Sequence, residues 1–251
     1  MVECMKLVAW LDKFLDINGI KDFSTNGLQV KGKEEIKKIA LAVDPCLETI
    51  EKAVAGNSDM LITHHFLLDF SGKILELHRK RLKPVLAADL NIYCCHLPLD
   101  RHAVVGNNVS LAKLLGLEVK GEFGMHEGKP VGCWAKFDNP KSFGEFEAIV
   151  KDKLKVDIIA KKIGPDSVQK VGIISGGGGS HVKEASELGI DTILTGEVSY
   201  HAVLDAEDAK VNLIMAGHYG SEKLGVQELG KKIVDKFTDV EIEFIENSPS
   251  F

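Results

Sequence analysis

The chain has 251 residues, 45% apolar and 27% charged, which excludes a disordered or fibrous chain and supplies a core for one large domain or two ordinary ones. Its formal charge of −6 gives no support to broad binding of a phosphate backbone, although it leaves room for a local basic patch. The five cysteines are odd in number and show no CxxC spacing, which excludes a disulfide framework and a zinc ribbon.

The opening string MVECMKLVAWLDKFL lacks a basic region ahead of a long apolar run. No uninterrupted apolar stretch of about 18 residues follows, so a cytoplasmic, reducing setting is the expectation. Residues 2–17 carry Leu7, Val8, Leu11, Phe14 and Leu15 at helical spacing and predict an amphipathic helix. Asn26-Gly27 in FSTNGLQV marks a tight turn. IKKIALAV, residues 36–43, reads as a strand, and residues 45–54 as a helix with Asp44 as its N-cap ahead of Pro45. A strand over 60–63 ends at the pair His64-His65, a helix spans 73–80, and a strand over 91–95 places Cys94 and Cys95 as buried thiols. A helix over 108–117 closes at Gly116.

The middle of the chain changes character. GKPVGCWAKFD reads as a strand, SFGEFEAIVKDKL as a helix and VDIIAKKI as a strand. Alternation then resumes: strand 171–174, a glycine loop, helix 182–188, strand 192–195, helix 201–210, strand 212–215 and helix 223–237. Units of this length argue for α/β layers with largely parallel strands.

The two ends of the chain echo each other. KKIALAVDPCLETIEKAVAGNSDMLITHH lies over QKVGIISGGGGSHVKEASELGIDTILTGE, so that Ile39 falls on Val171, Asp59 on Asp191 and Thr63 on Thr195. In a changed register NIYCCHLPLD lies over LIMAGHYGSE, with His96 on His218 and Asp100 on Glu222. Each half thus ends its later strand with His-x-x-x-carboxylate, in the place where α/β sheets bind ligands. The expected boundaries are a first half over 1–120, a connecting region over 121–165 with no large inserted domain, and a second half over 166–251 that packs with the N-terminal segment.

Four segments gather at strand ends: His64-His65, His96 with Asp100, Glu197 to His201, and His218 with Glu222. Successive side chains of an extended strand point to opposite faces, so one metal would have difficulty taking both His64 and His65. Two cations, one per imidazole, relieve the conflict, and Asp100 or Glu222 can bridge them. Imidazoles mixed with carboxylates suit zinc, manganese, iron or nickel better than calcium. A pair of cations roughly 3.5–4 Å apart generates a nucleophilic metal-bound hydroxide near neutral pH, the chemistry of metal-assisted hydrolysis. The bland alternatives are an HH pair at the surface and a His–carboxylate pair joined only by a hydrogen bond. His78, His126 and His181 have no such placement and are read as solvent-facing.

At these residues the chain resembles the NIF-three-like proteins, the type 2 GTP cyclohydrolase I homologues. The resemblance rests on STNGLQV, LAVDPCLETIEKA, DMLITHHFLL, IYCCHLPLD with GNNVSLAKLLGL, SGGGGS, DTILTGEVSYH and AGHYGSEKLGVQEL, in that order. It implies two interlocked α/β halves with mixed sheets, a dinuclear metal cleft between them and a ring-shaped homohexamer. It further implies His64, His65, Asp100, His218 and Glu222 as ligands of two divalent ions, with Glu222 bridging, and places His96 near the centre, either supporting the ligands or transferring a proton, with His96 and Glu222 as the catalytic candidates. Glu197 and His201 match the TGE…H motif nearby, although Tyr200 stands where the family often carries His.

SGGGGS lies between a strand and a helix but lacks GK[ST], so a close-packed turn is favoured over a phosphate cradle. STNGLQV is read as a structural turn, with Gln29 as a residue able to touch a ligand. Two functions follow. One is a metal-dependent hydrolase acting on a nucleotide or related phosphate-bearing small molecule. The other is a non-catalytic metal-binding ring that captures nucleic acid or a protein partner, for which HRKRLK, residues 78–83, is the dense basic run, against the net charge.

Overall fold

The computed structural model describes residues 1–68 and 75–248. Its first elements are β1 (Val2–Glu3), α1 (Cys4–Phe14), β2 (Gly27–Val30), β3 (Glu35–Ile36), β4 (Lys38–Ala42), α2 (Leu47–Ala55), β5 (Met60–Thr63), α3 (Glu76–Ala87), β6 (Asn91–Cys94), α4 (Leu97–Asp100) and α5 (Asn107–Leu114). Next come β7 (Glu118–His126), β8 (Lys129–Ser142), α6 (Phe143–Leu154), β9 (Ile159–Lys161), β10 (Ser167–Ile174), α7 (Val182–Glu187), β11 (Thr192–Thr195), α8 (Tyr200–Ala209), β12 (Asn212–Met215), α9 (His218–Lys236) and β13 (Glu241–Phe244). Two compact units result: Met1–Leu99 with Val226–Phe251, and Asp100–Gly225.

In the first unit a five-stranded sheet runs β13-β4-β5-β6-β2. Its first four strands are parallel and β2 is an antiparallel edge. Every residue of β5 and β6 is buried, as expected for parallel strands covered on both faces. Ile50 and Ala53 of α2 and Val85 of α3 pack with Ala40, Leu61 and Ile92 of the sheet in one core cluster. In α1 the residues Cys4, Leu7, Val8 and Leu11 are buried, the one-faced spacing of an amphipathic helix. That helix starts at Cys4 rather than residue 2, because Val2 and Glu3 pair instead with Ile36 and Glu35. Of the helix expected over 73–80, Lys73 and Ile74 lie outside the described residues, and α3 continues to Ala87 through Pro84.

In the second unit a six-stranded mixed sheet runs β7-β8-β10-β11-β12-β9. Strands β10, β11 and β12 are parallel, while β7, β8 and β9 join antiparallel. The stretch 121–165 falls inside this unit, where it completes β7 and supplies β8, α6 and β9. Helix α6 is set by its sequence. Ser142 Oγ accepts from the Glu145 N–H at 3.3 Å, and the Glu145 carboxylate accepts from the Ser142 N–H at 2.8 Å, a reciprocal cap. Phe143, Phe146, Val150 and Leu154 then bury one face against Val168, Val171 and Leu194.

The two units are built alike. Ile39 pairs with Met60 as Val171 pairs with Thr192, which is the register of the sequence echo. Asp59 Oδ2 accepts from the N–H groups of Lys37 and Lys38, and Asp191 Oδ2 from those of Gln169 and Lys170. The second part of the echo is corrected by one residue: strand pairing puts Asn91 opposite Met60 and Asn212 opposite Thr192, so Asn91 corresponds to Asn212 rather than Leu213. Gly217, at φ +77, is the extra residue that precedes His218. Among the described residues no helix is long and apolar enough to cross a membrane.

Candidate metal centre

In the first unit, β5 ends at Thr63 and the chain bends through His64 and His65. The Thr63 hydroxyl donates to the His65 carbonyl at 2.7 Å, which stabilises that bend. The backbone is therefore no longer extended, and the two imidazoles do not diverge: their ring centroids are 4.9 Å apart. His96, just after β6, brings its ring to 5.1 Å from His64 and 5.8 Å from His65. One ring nitrogen from each of His64, His65 and His96 lies within 4.8 Å of the others. The conflict expected from an extended strand is removed, and one cation can take both adjacent imidazoles.

Each of these rings is oriented by an oxygen on its Nδ1 side. His64 Nδ1 donates to the Cys95 carbonyl at 3.0 Å, His65 Nδ1 to Asp44 Oδ1 at 2.7 Å, and His96 Nδ1 to Asp22 Oδ1 at 3.0 Å. This fixes the tautomer and directs the Nε2 lone pairs outward, the usual support of metal-binding histidines. Burial favours protonation of Asp22, but hydrogen bonds from His96 and Asn26, the imidazole charge and the Ser24 N–H outweigh it and hold the carboxyl at about 2. Asp22 therefore stays ionised and acts as a fixed acceptor. Phe23 stands edge-on to His96, with centroids 5.0 Å apart. Asp44, expected to cap α2, instead serves His65, and the N-cap is Cys46, which makes no side-chain capping bond.

In the second unit α9 begins at His218, five residues before the expected start, so His218 and Glu222 stand one turn apart on its first turns. His218 Nδ1 donates to Glu197 Oε1 at 3.0 Å, and its Nε2 lies 3.2 Å from Glu222 Oε1. Carboxylate oxygens of Asp100 and Glu222, both buried, lie within 4.8 Å of each other, a like-charge pair that a shared cation would neutralise. Asp100 Oδ1 accepts from Asn107 Nδ2 at 2.8 Å and from Ser175 Oγ at 2.7 Å. Asn108 ties the Asp100 carbonyl to the Val131 carbonyl and the Ser175 N–H.

The glycine loop after β10 walls this carboxylate pair. Gly176 has φ +62, and a Cβ there would come within 2.3 Å of Glu222 Oε1 and 3.2 Å of His218 Nε2. Its N–H donates to Ser221 Oγ, and its carbonyl accepts from Gly196, Glu197 and Thr195. The Gly178 N–H is likewise spent on Thr195 Oγ1. The loop is a close-packed turn, as the missing GK[ST] suggested.

Some expectations change. His201 is exposed, its ring 5.7 Å from that of Tyr200. His181 is not solvent-facing: its side chain is 16% exposed, its ring stands against Phe123, and burial pushes its pKa down despite Glu184. Gln29 is committed to structure, donating to the Thr25 carbonyl and accepting from Leu67 and Leu68. Sequence reasoning missed Asp22, Asp44, Asn107 and Asn108 as supporting groups. The available signal was the adjacent amides in GNNVS and the acid that opens DPC; Asp22 carries no local signal.

Each unit by itself groups donors of a kind that suits a divalent transition metal: three imidazoles in the first, two carboxylates and an imidazole in the second. The chain belongs to the Duf34/NIF3 (NGG1p interacting factor 3) family, whose model matches residues 2–250. It is 44% identical over 238 residues to a GTP cyclohydrolase 1 type 2 homolog of Pyrococcus abyssi, covering 94% of this chain and 95% of that protein. It is 34% identical over 244 residues to the protein of the same name in Escherichia coli K12, covering 96% of each. The solved structure of protein ybgI superposes with a TM-score of 0.92 at 33% identity, covering 99% of both chains.

Proposed function

We propose that the chain is a dinuclear-metal-dependent hydrolase acting on a nucleotide or related phosphate-bearing small molecule. The observation that carries the reading is the triad His64, His65 and His96, with a nitrogen of each within 4.8 Å of the others and every Nδ1 anchored by an oxygen. In this reading His64 and His65 of the first unit and Asp100, His218 and Glu222 of the second would be the ligands of two divalent cations of the zinc, iron, manganese or nickel type. When bound, such cations would supply Lewis-acid activation of water and neutralisation of developing negative charge.

The remaining work falls to the protein. The Cys95 carbonyl and Asp44 hold His64 and His65 in their metal-binding tautomer. Glu197 does the same for His218. Asn107 and Ser175 fix the Asp100 carboxylate. His96 moves a proton at its Nε2 while the ionised Asp22 steadies the ring, the arrangement of a general base with its orienting acid. The relatives' cyclohydrolase name supports a purine nucleotide as the first substrate to try.

The test is elemental analysis of the purified chain, then turnover of a nucleotide panel by protein loaded with the metals found. Two equivalents of metal, lost in His64→Ala and Glu222→Ala together with turnover, are the expected result. Retained metal and fold with no turnover of any panel member would replace the hydrolase by the non-catalytic binding reading. The hexamer belongs to the same proposal, and light scattering of the metal-loaded protein tests it.

A further inference from the structure

Beside His65, within the first unit, lies a cavity of about 220 Å³ whose walls include Asp44, Cys46, Phe66, Arg81 and Asn247. Arg81 is the telling member. Its Nε is buried, and among the described residues it has no hydrogen-bond partner and Arg81 forms no ion pair. Guanidinium is ionised at every accessible pH, so among the described residues this is a cation without a counter-ion, and its buried Nε is an unsatisfied donor, which is costly. Asp44 shares the cavity but forms no ion pair with Arg81; its carboxylate accepts instead from His65 Nδ1 at 2.7 Å. Asn247 is also occupied, donating from Nδ2 to Cys46 Sγ and Thr49 Oγ1. The cavity opens at the start of α2, where the N-cap side chain makes no capping bond, so the helix dipole adds to the positive potential.

We infer that this cavity seats a phosphoryl group, with Arg81 as its counter-ion, and that it sets the phosphate-bearing class of the substrate handled beside it. The inference rests on the hydrolase reading for its meaning but not for its test. Size agrees: the cavity is smaller than the roughly 300–1,000 Å³ of sites that enclose a whole drug-sized ligand. It admits a head group, while His65 in its wall leaves the rest of the molecule next to the imidazole triad. Arginine offers the planar fork that a phosphoryl group accepts in two hydrogen bonds.

The experiment uses the full chain stripped of metal by a chelator and dialysed. Calorimetric titration with inorganic phosphate, GMP and guanosine compares wild type, Arg81→Gln and Arg81→Lys. Expected are binding of phosphate and of GMP by wild type, at least tenfold weakening of both in Arg81→Gln, an intermediate loss in Arg81→Lys, and an unchanged response to guanosine. GMP binding more tightly than free phosphate assigns the cavity to a substrate head group, and the reverse order overturns that assignment. A second readout needs no variant: phosphate should slow alkylation of Cys46 by the neutral reagent iodoacetamide in wild type. Equal affinities in wild type and Arg81→Gln, or no protection of Cys46, overturn the inference. No step involves turnover, so a protein that binds phosphate through Arg81 yet hydrolyses nothing sinks the hydrolase and leaves the anion seat standing.

Discussion

The carboxylate of Asp44 and the imidazole of His65, 21 residues apart in sequence, meet at 2.7 Å between Oδ1 and Nδ1. The contact gives a residue from the β4–α2 connection control over a ring from the β5 end. Asp44→Asn keeps the size but removes the charge that makes Nε2 a better donor. We predict about 10- to 100-fold weaker metal binding, measured by competition with a chromogenic chelator, with the unfolding midpoint of the metal-free protein little changed. Unaltered affinity would show that Asp44 is not an orienting group.

Gly176→Ala tests the wall of the carboxylate pair. The positive φ alone costs about 1–3 kcal/mol in a residue with a Cβ. The added methyl must also displace Glu222, whose Oε1 would lie 2.3 Å away. The variant should lose thermal stability and bind less metal. Gly177→Ala, where a Cβ meets nothing within 4 Å, should do neither.

Asp59 links stability to pH. Burial opposes its ionisation, but hydrogen bonds from Lys33 and from the N–H groups of Lys37 and Lys38 more than compensate, and its folded pKa is lowered. A lowered folded value stabilises above the unfolded aspartate range of about 3.9, and the contribution is lost as pH falls through the folded value. Asp59→Asn should therefore cost about 1–3 kcal/mol at neutral pH in denaturant titrations, converging on wild type in acid. A penalty independent of pH would exclude the charge as its source.

Thiol reactivity should separate the cysteines. Cys4, Cys94, Cys95 and Cys133 are buried, whereas Cys46 is part-exposed. Burial also pushes Cys94 and Cys133 up to about 12. Alkylation of the native protein near pH 8 should modify Cys46 alone, with the other four reacting after denaturation, read by mass spectrometry. Rapid labelling of Cys94 in the native state would contradict the packing around β6.

The strands β5, β11 and β12 were legible to the residue, because buried parallel strands are short apolar runs bounded by turn residues. The candidate donors were legible too, since His64, His65, His96 and His218 all follow such runs. What escaped was tertiary. Asp22 reaches His96 across 74 residues, and nothing local in KDFSTNG announces it. EIEF alternates polar and apolar residues as a strand does, but at four residues the pattern is too short to stand out, and Glu241–Phe244 becomes a strand by pairing with β4. The start of α9 was placed late because HYGSE has poor helix propensity, which tertiary anchoring through Ser221 and Gly176 overrides.

The pairing of Glu241–Phe244 with Lys38–Ala42 has a consequence for biosynthesis. The ribosome delivers the whole of Asp100–Gly225 before the strand that seals the outer margin of Lys38–Ala42. Until that delivery a nascent chain carries a bare backbone ladder, open to capture by a neighbouring polypeptide. Truncation ahead of Glu241 would make that passing vulnerability permanent.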